Sequence, residues 1–194
     1  FVRKSKRQPL TVDYADHGRV PPQAPDLEEA VLGAMMLEQS ATNLVIDLLS
    51  PQAFYKEAHQ KIFDAIQHLF GSSQPVDILT VTQELRKRGE LELVGGAYYI
   101  SMLTNRVASA ANVEFHARII LQKHLQRELI RISGEIIRDS YEDAQDVFDI
   151  LDRAEKELFA VSENNLRRNY RDMHALVREA VENIEGARNN DGHI

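Results

Sequence analysis

The stretch ANVEFHARIILQKHLQRELIRISGEIIRDS, residues 111–140, decides the fold. Its apolar residues recur mostly at intervals of three and four, which is the spacing of one face of an α-helix. They are Val113, Ala117, Ile120, Leu121, Leu125, Leu129, Ile132 and Ile136. At about 1.5 Å per residue such a helix extends for about 45 Å, which is longer than a small globular core can cover. The sequence therefore predicts a long helix that projects beyond a compact head.

A second apolar stripe follows the polar turn around residues 141–145. Its members are Val147, Ile150, Leu151, Ala154, Leu158 and Val161. Residues 112–140 carry five basic and four acidic side chains, whereas residues 142–163 carry two basic and eight acidic ones, so the two stretches are mildly complementary in charge. Surface ion pairs contribute only about 0–1 kcal/mol each, so buried Leu and Ile must dominate the association. We expect residues 111–163 to form an antiparallel helical hairpin.

Residues 26–110 predict a head of five short helices. They are expected at 27–39, 41–49, 57–70, 75–88 and, after Gly95-Gly96, over a stretch that carries Tyr98, Tyr99, Met102 and Leu103. Asp26 is expected to cap the first helix together with Glu29, and Gly89 to close the fourth in a left-handed conformation. The expected buried stripe of the third helix is Ile62, Phe63, Ile66, Leu69 and Phe70. The fold class is therefore all-α, with a compact multi-helix head, a long hairpin and a separate linker helix.

The two ends of the chain are predicted to lie outside this core. Residues 1–25 are basic and contain four of the six prolines, and we expect a flexible tail. Because the chain begins with Phe1 rather than Met, we expect its natural N-terminus to lie further upstream. Residues 164–194 are expected to form a linker with one helix. Its apolar residues Leu176, Val181 and Ile184 find no partner in this chain, so we expect them to dock on another domain or subunit.

Composition excludes several classes of function. The formal net charge of −7 argues against an autonomous nucleic-acid-binding domain, which usually carries a concentrated basic surface. The absence of cysteine excludes disulfides and thiolate metal sites. Charged residues interrupt every apolar run long before the roughly 20 residues that a bilayer requires. We therefore expect a soluble, cytoplasmic protein.

No catalytic, cofactor-binding or metal-binding residue is predicted in this chain. A Walker A loop needs Gly-Lys-Ser/Thr, and none of the nine glycines is followed by Lys, so we expect no ATP hydrolysis. Gly95-Gly96 is interpreted as a structural turn, because no strand precedes it and no lysine is near it in sequence. The nearest histidine pairs are eight and nine residues apart rather than four, and His59 is expected to be a packed or capping residue.

Ile130, Ile136 and Ile137 are the candidate partner contacts. They lie late in the first helix of the hairpin, beyond the head, where an internal seam would not require all three. Ile130 and Ile137 fall off the main stripe. Hairpin core is the alternative for these residues. Tyr99 is a further candidate, and its alternative is head packing around a satisfied hydroxyl.

Six short motifs between residues 20 and 130 resemble the N-terminal domain of the DnaB helicase family. In order, they are Val20-Pro21-Pro22-Gln23 with Glu28; Val31-Leu32-Gly33 with Met36-Leu37; Phe54-Tyr55 with His59 and Ile62-Phe63; Pro75-Val76-Asp77 with Thr80-Val81; Gly95-Gly96-Ala97-Tyr98-Tyr99; and Ala111-Asn112 with His116-Ala117-Arg118-Ile119-Ile120. The final five residues, 190–194, resemble the point just before that family's motor domain. Pro25-Asp26-Leu27 departs from an Ile-Glu-Ala-like run, which is expected to alter surface contacts but not the helix.

The resemblance implies an ATP-driven homohexameric ring that unwinds DNA 5′ to 3′ at the replication fork. This chain is then the collar, whose hairpins make dimer contacts and on which primase docks, while helicase loaders act on the ring. ATP, Mg²⁺ and most contacts with single-stranded DNA belong to the absent motor domain. The last helix is expected to pack on a neighbouring motor domain.

Two other functions remain open from the sequence. A stand-alone helicase-binding adaptor is the first, because the helicase-interacting domain of primase is also a small helical head with a hairpin. The Ala111-Asn112 motif and the residues at 192–194 favour the helicase itself. A sequence-specific DNA-binding domain is the second, and both the acidic balance and the lack of a basic recognition helix disfavour it.

Overall fold

The computed structural model describes residues 20–105, 107, 110–142 and 146–163. Within these ranges the chain is helical and contains no β-strand, which confirms the all-α prediction. The helices are α1 (Pro25–Leu37), α2 (Gln39–Val45), α3 (Glu57–Gly71), α4 (Ile78–Lys87), α5 (Gly96–Asn105), α6 (Val113–Ser140) and α7 (residues 147–163), with a 3-10 turn at Pro51–Ala53 between α2 and α3.

Helix α1 is the centre of the head. It contacts each of the helices α2 to α6, and its residues 31–36 are all buried. Gly33 allows the closest of these approaches. A Cβ atom built at Gly33 would lie 2.3 Å from the carbonyl oxygen of Leu103 in α5 and 2.6 Å from Cγ2 of Val107. The packing of α1 on α5 therefore requires a residue without a side chain at this position.

The start of α1 differs from the prediction. Pro25 already belongs to the first turn, where its missing N–H is not needed and its fixed φ suits a helix. The N-cap, Ala24, provides no side-chain hydrogen bond. Glu29 is buried instead, and its Oε1 accepts a hydrogen bond from Lys56 Nζ at 3.0 Å. The predicted capping pair of Asp26 and Glu29 is wrong, because Glu29 has tertiary partners in the head.

Turn residues set the limits of α4 and α5, although α4 begins at Ile78 rather than at the predicted residue 75. Asp77 Oδ1 accepts a hydrogen bond from Thr80 N at 2.9 Å, and Thr80 Oγ1 accepts one from Asp77 N at 2.9 Å, so the pair forms a capping box. Gly89, Gly95 and Gly96 have φ of +73°, +98° and +73°, a region that favours glycine. The left-handed end of α4 and the tight entry into α5 are confirmed.

Two predicted details of the head are wrong. The second helix was expected over residues 41–49, but α2 ends at Val45 and a turn over residues 46–48 follows it. This turn buries Ile46, Leu48 and Leu49 against the head without continuing the helix. Phe70 was expected in the buried stripe of α3, but it is 36% exposed because it lies in the last turn, at the edge of the head.

Helices α6 and α7 form the predicted antiparallel hairpin. The first half of α6 packs on the head through the buried residues Val113, Ala117 and Ile120. Farther along, α7 runs back beside α6, and ion pairs join Arg131 to Glu157 and Asp139 to Arg153. The residue numbers rise along α6 as they fall along α7, which establishes the antiparallel direction.

Candidate interaction surface

The seam between α6 and α7 is narrow. Ile132 is buried, and Ile136, Ile150 and Ala154 line a small cavity of about 10 Å³ beside it. These four side chains contribute apolar contact between the two helices. Ile136 is therefore part of the hairpin seam, which is the alternative that the sequence left open for it.

Charged residues line one edge of this seam. Asp139 is 4% exposed, and its Oδ2 accepts a hydrogen bond from Arg153 Nη1 at 2.6 Å. Arg131 donates to Glu135 on its own helix at 2.9 Å and to Glu157 on α7 at 3.1 Å. The hydrogen bonds that Arg131 donates, first to Glu135 and then to Glu128, raise the pKa of its guanidinium. The side chain of Arg131 is 46% exposed, so salt screens these pairs and each stabilises the hairpin weakly.

The ion pairs also fix which residues of the two helices lie at the same height. By interpolation between the pairs Arg131–Glu157 and Asp139–Arg153, Ile130 lies level with about Leu158, and Ile137 with about Ala154. At about 100° per residue, Ile130 and Ile137 are turned from the seam in the same rotational sense as Leu151 and Phe159. Because the helices are antiparallel, an equal rotational sense brings both sets to one face of the hairpin.

We call this face the hairpin apolar surface. It consists of Leu129, Ile130 and Ile137 of α6 and Val147, Phe148, Leu151, Leu158 and Phe159 of α7. Ile137 is half-buried, and the other members are between 42% and 71% exposed. So many large apolar side chains on one face exceed the scattered exposure that is normal on a protein surface. The surface has the composition of a protein interface.

The sequence assigned part of this surface incorrectly. Leu129, Val147, Leu151 and Leu158 were expected to lie in the seam, but all four are exposed. Helical spacing shows which residues share a face, but it does not show which part of a wide apolar face a single partner helix covers. Phe148 and Phe159 were missed altogether. The sequence did contain a signal for these two residues, because they widen the apolar face of α7 beyond what one helix can bury.

Tyr99 lies in a buried hydrogen-bond network of the head. His59 is fully buried, and its Nδ1 lies 2.7 Å from Glu28 Oε2 while its Nε2 lies 2.7 Å from the hydroxyl of Tyr99. The same hydroxyl lies 3.3 Å from Glu29 Oε1. A carboxylate only accepts hydrogen bonds, so beside the Glu28 carboxylate the Nδ1–H of His59 is the hydrogen-bond donor. The network joins α1, α3 and α5, which matches the packed role predicted for His59.

Glu28 also fixes the segment before α3. Its Oε1 accepts a hydrogen bond from Tyr55 N at 2.7 Å, and the carboxylate is 1% exposed. Glu28, Tyr55, His59 and Tyr99 come from three separate family-like motifs of the sequence. The structure brings these motifs together in one polar cluster, so they are structural determinants of the head.

Arg127 anchors the base of the hairpin to the head. Its Nη1 donates to the carbonyl of Pro22 at 2.8 Å and its Nη2 to the carbonyl of Ala53 at 2.6 Å. The guanidinium also lies 5.8 Å from the ring centroid of Tyr55, within cation–π distance. Burial lowers the pKa of Arg127. One side chain therefore attaches both the chain before α1 and the 3-10 turn to α6.

Other classes of site are not found in the described part of the chain. No group of three or more His, Asp or Glu side chains there is arranged to hold a metal ion. None of the helices described is both long enough and apolar enough to span a bilayer. Leu176, Val181 and Ile184, the predicted docking residues of the linker helix, lie outside the described residues.

Comparison with known proteins identifies the same region that the motifs occupy. Residues 20–122 match the family model described as the DnaB-like helicase N terminal domain. The replicative DNA helicase DnaB of Rhodothermus marinus is 49% identical over 177 residues, and that of Geobacillus stearothermophilus is 38% identical over 176 residues. Each alignment covers 91% of this chain but only 19% and 39% of the respective relative. The chain therefore spans less than half the length of either helicase.

Solved structures show the same fold. The crystal structure of the N-terminal domain of DnaB helicase from Mycobacterium tuberculosis matches with a TM-score of 0.69 and 38% identity, over 73% of this chain and 99% of that one. A DnaB-like replicative helicase, in a structure whose description includes its interactions with primase, matches with a TM-score of 0.59 and 25% identity, over 71% of this chain and 31% of that one. Both matches are to helicases rather than to an adaptor.

Proposed function

Because this chain belongs to the DnaB-like helicase N-terminal domain family, we propose that it is the assembly and docking module of a replicative DNA helicase. The hairpin apolar surface is the observation that carries this proposal. Burial of apolar surface contributes about 25 cal/mol per Å², and within the described residues nothing covers this face. A second hairpin that packs on it, face to face, supplies the missing cover and generates a dimer with two-fold symmetry.

The complete protein is, by this proposal, a homohexameric ring that uses ATP to unwind DNA 5′ to 3′ at the replication fork in the bacterial cytoplasm. ATP, Mg²⁺ and single-stranded DNA are bound mainly by a motor domain that lies outside these 194 residues. Three paired hairpins form the collar of the ring, and a helicase loader acts on the assembled ring. Leu176, Val181 and Ile184 of the linker dock on a neighbouring motor domain.

Primase is the proposed docking partner of the collar. The primase interaction in the description of a similar helicase structure supports this choice. Ile130, Ile137 and Tyr99 remain the candidate contacts for partners. The exposure of Ile130, 58%, is consistent with such a role, whereas Ile136 contributes to the seam. Tyr99 is half-buried and its hydroxyl is satisfied within the head, so a partner would contact the exposed part of its ring.

Light scattering of the 194-residue chain across a concentration series tests the assembly role. We expect a dimer, or a dimer that proceeds to a hexamer, and a further increase of mass when the C-terminal domain of the cognate primase is added. The variant Phe159→Ser is expected to shift the chain to monomer. Phe115→Ser is the matched control, because Phe115 is also 66% exposed but lies near the head end of α6.

Three results of this experiment would contradict the proposal. A concentration-independent monomer that ignores primase contradicts the proposed assembly role of the isolated collar. Equal loss of association in Phe159→Ser and Phe115→Ser contradicts the assignment to the hairpin apolar surface, because it shows a general effect of lost hydrophobicity. Retention of the dimer in Phe159→Ser contradicts it as well.

A further inference from the structure

A second uncovered surface lies on the head, between α4 and the start of α5. It is a groove of about 670 Å³ lined by Ile78, Leu79, Thr82, Gln83, Arg86, Lys87 and Ala97. Leu79 is 78% exposed, and Tyr98, which follows Ala97, is 81% exposed. The groove is on the head and involves none of the residues of the hairpin apolar surface.

The charge of this groove is unusual for the chain. Its lining contains two basic side chains and no acidic one, although the protein has a formal net charge of −7. Neither Arg86 nor Lys87 forms a salt bridge with a carboxylate among the described residues, although Lys87 is near enough to Glu84 to help lower the pKa of that carboxyl. Arg88, one residue further on, is bound to Glu84 at 2.7 Å and to Asp64 at 2.6 Å. The two cations of the groove are therefore available to an external anion.

The positive charge of the groove comes from these side chains rather than from a helix end. Glu92 Oε2 lies 4.0 Å from the position of a Cβ at Gly96, so a carboxylate already lies near the N-terminus of α5. That carboxylate offsets the partial positive charge of the helix end. The attraction for an anionic partner depends on Arg86 and Lys87.

We propose that the α4–α5 groove binds an acidic segment of a partner protein that alternates carboxylates with apolar side chains. Leu79 and Ala97 receive the apolar side chains, while Arg86 and Lys87 pair with the carboxylates. A volume of about 670 Å³ is in the range of ligand-binding clefts and accommodates several side chains. Two cations are too few for the phosphate contacts on which nucleic-acid affinity rests, and an exposed Leu in the lining favours a peptide.

Fluorescence anisotropy with a labelled peptide that alternates Asp and Leu tests this proposal on the 194-residue chain. We expect binding that weakens as salt is added. The double variant Arg86→Glu/Lys87→Glu is expected to weaken it by about tenfold or more, because two attractive contacts become repulsive. The same variant is expected to gain affinity for a peptide that alternates Lys and Leu. Leu79→Ser is expected to weaken binding of either peptide.

The control variant is Lys123→Glu, which changes the charge of α6 at a distance from the groove. Absence of peptide binding, or an equal loss in Lys123→Glu, overturns the proposal. Tighter binding of a single-stranded oligonucleotide, lost in Arg86→Glu/Lys87→Glu, overturns it in favour of a nucleic-acid surface. A changed mass of that variant in light scattering overturns it in favour of a second copy of the chain. Unchanged self-association together with lost peptide binding supports it.

Discussion

The head and the hairpin use apolar residues in different ways. In the head, the side chains of Val31, Leu32, Met35, Ile62 and Phe63 are all completely buried. In the hairpin beyond the head, Ile132 is the one apolar residue of the described part that is buried to a similar degree, whereas Phe148 and Phe159 are 71% and 66% exposed. The apolar side chains of the head therefore form a closed core, whereas most of those in the hairpin beyond the head stay exposed.

Polar groups differ between the two regions in the same way. The carboxylate of Glu28 is buried with three neighbours that donate hydrogen bonds to it or lie within hydrogen-bond distance: Tyr55 N, Lys56 N and His59 Nδ1. Arg131 of the hairpin is paired too, but its side chain is 46% exposed. Buried networks fix one conformation, whereas exposed pairs exchange readily with water and salt. The difference fits the proposal that a partner completes the hairpin.

Replacement of His59 by Ala is expected to give the largest effect. It removes one of the two partners that lie 2.7 Å from the buried Glu28 carboxylate, and breaking a buried pair in this way costs about 3–5 kcal/mol. Tyr99→Phe removes only one hydroxyl and is expected to cost about 1 kcal/mol. Urea denaturation followed by circular dichroism measures both. A cost below 1 kcal/mol for His59→Ala would show that the head does not depend on this network.

Replacement of glycine by alanine is expected to change the stability of the protein in opposite directions at two positions. Gly33→Ala forces α1 away from the Leu103 carbonyl and is expected to destabilise the head by about 1–3 kcal/mol. Gly134→Ala lies in α6, where an added Cβ meets nothing within 4 Å, and is expected to stabilise the helix by about 0.5–1 kcal/mol. Thermal denaturation of the two variants measures both changes in stability. Stabilisation by Gly33→Ala would contradict the tight packing of α1 on α5.

Glu84 of the head and Glu157 of the hairpin each form an ion pair, and the two pairs are expected to contribute differently to stability. Hydrogen bonding from Arg88 lowers the pKa of Glu84 from its ordinary value of 4.5. A carboxyl group with a lowered pKa stabilises the fold above its unfolded value and loses that contribution as the pH falls through the folded value. Glu84→Gln is therefore expected to cost about 1 kcal/mol at neutral pH and nothing in strong acid.

Glu157→Gln is expected to cost less than about 0.5 kcal/mol at neutral pH, and this cost should vanish in high salt. Denaturation series against pH for Glu84→Gln and against salt for Glu157→Gln separate the two behaviours. A cost for Glu84→Gln that grows as the pH falls below 4.5 would contradict the sign of its pKa shift.

Ile130→Ser is expected to have the smallest effect on the stability of the isolated chain, within about 0.5 kcal/mol, because the side chain is 58% exposed. Its effect is expected on association instead. Denaturation at low concentration and sedimentation at high concentration measure the two quantities separately. A large loss of stability at low concentration would show that Ile130 packs within its own chain.

The sequence predicted the head and the course of the hairpin because local signals decide them. Gly89, Asp77 and the periodic residues of 113–140 act through backbone conformation and helical spacing. It could not predict the network of Glu28, His59 and Tyr99, because its members are separated by 31 and 40 residues and meet only after folding. The exposure of Leu151 and Leu158 also escaped prediction, because the depth of burial depends on how many helices pack on a face.

Amide hydrogen exchange at two protein concentrations tests the central claim most directly. We predict that the amides of α1, α3 and α5 exchange at the same slow rates at both concentrations, because the head core is complete within one chain. The amides of α7 and the second half of α6 should become better protected as the concentration rises. Equal protection of α7 at both concentrations, at the level of the head, would contradict the claim that a partner completes the hairpin.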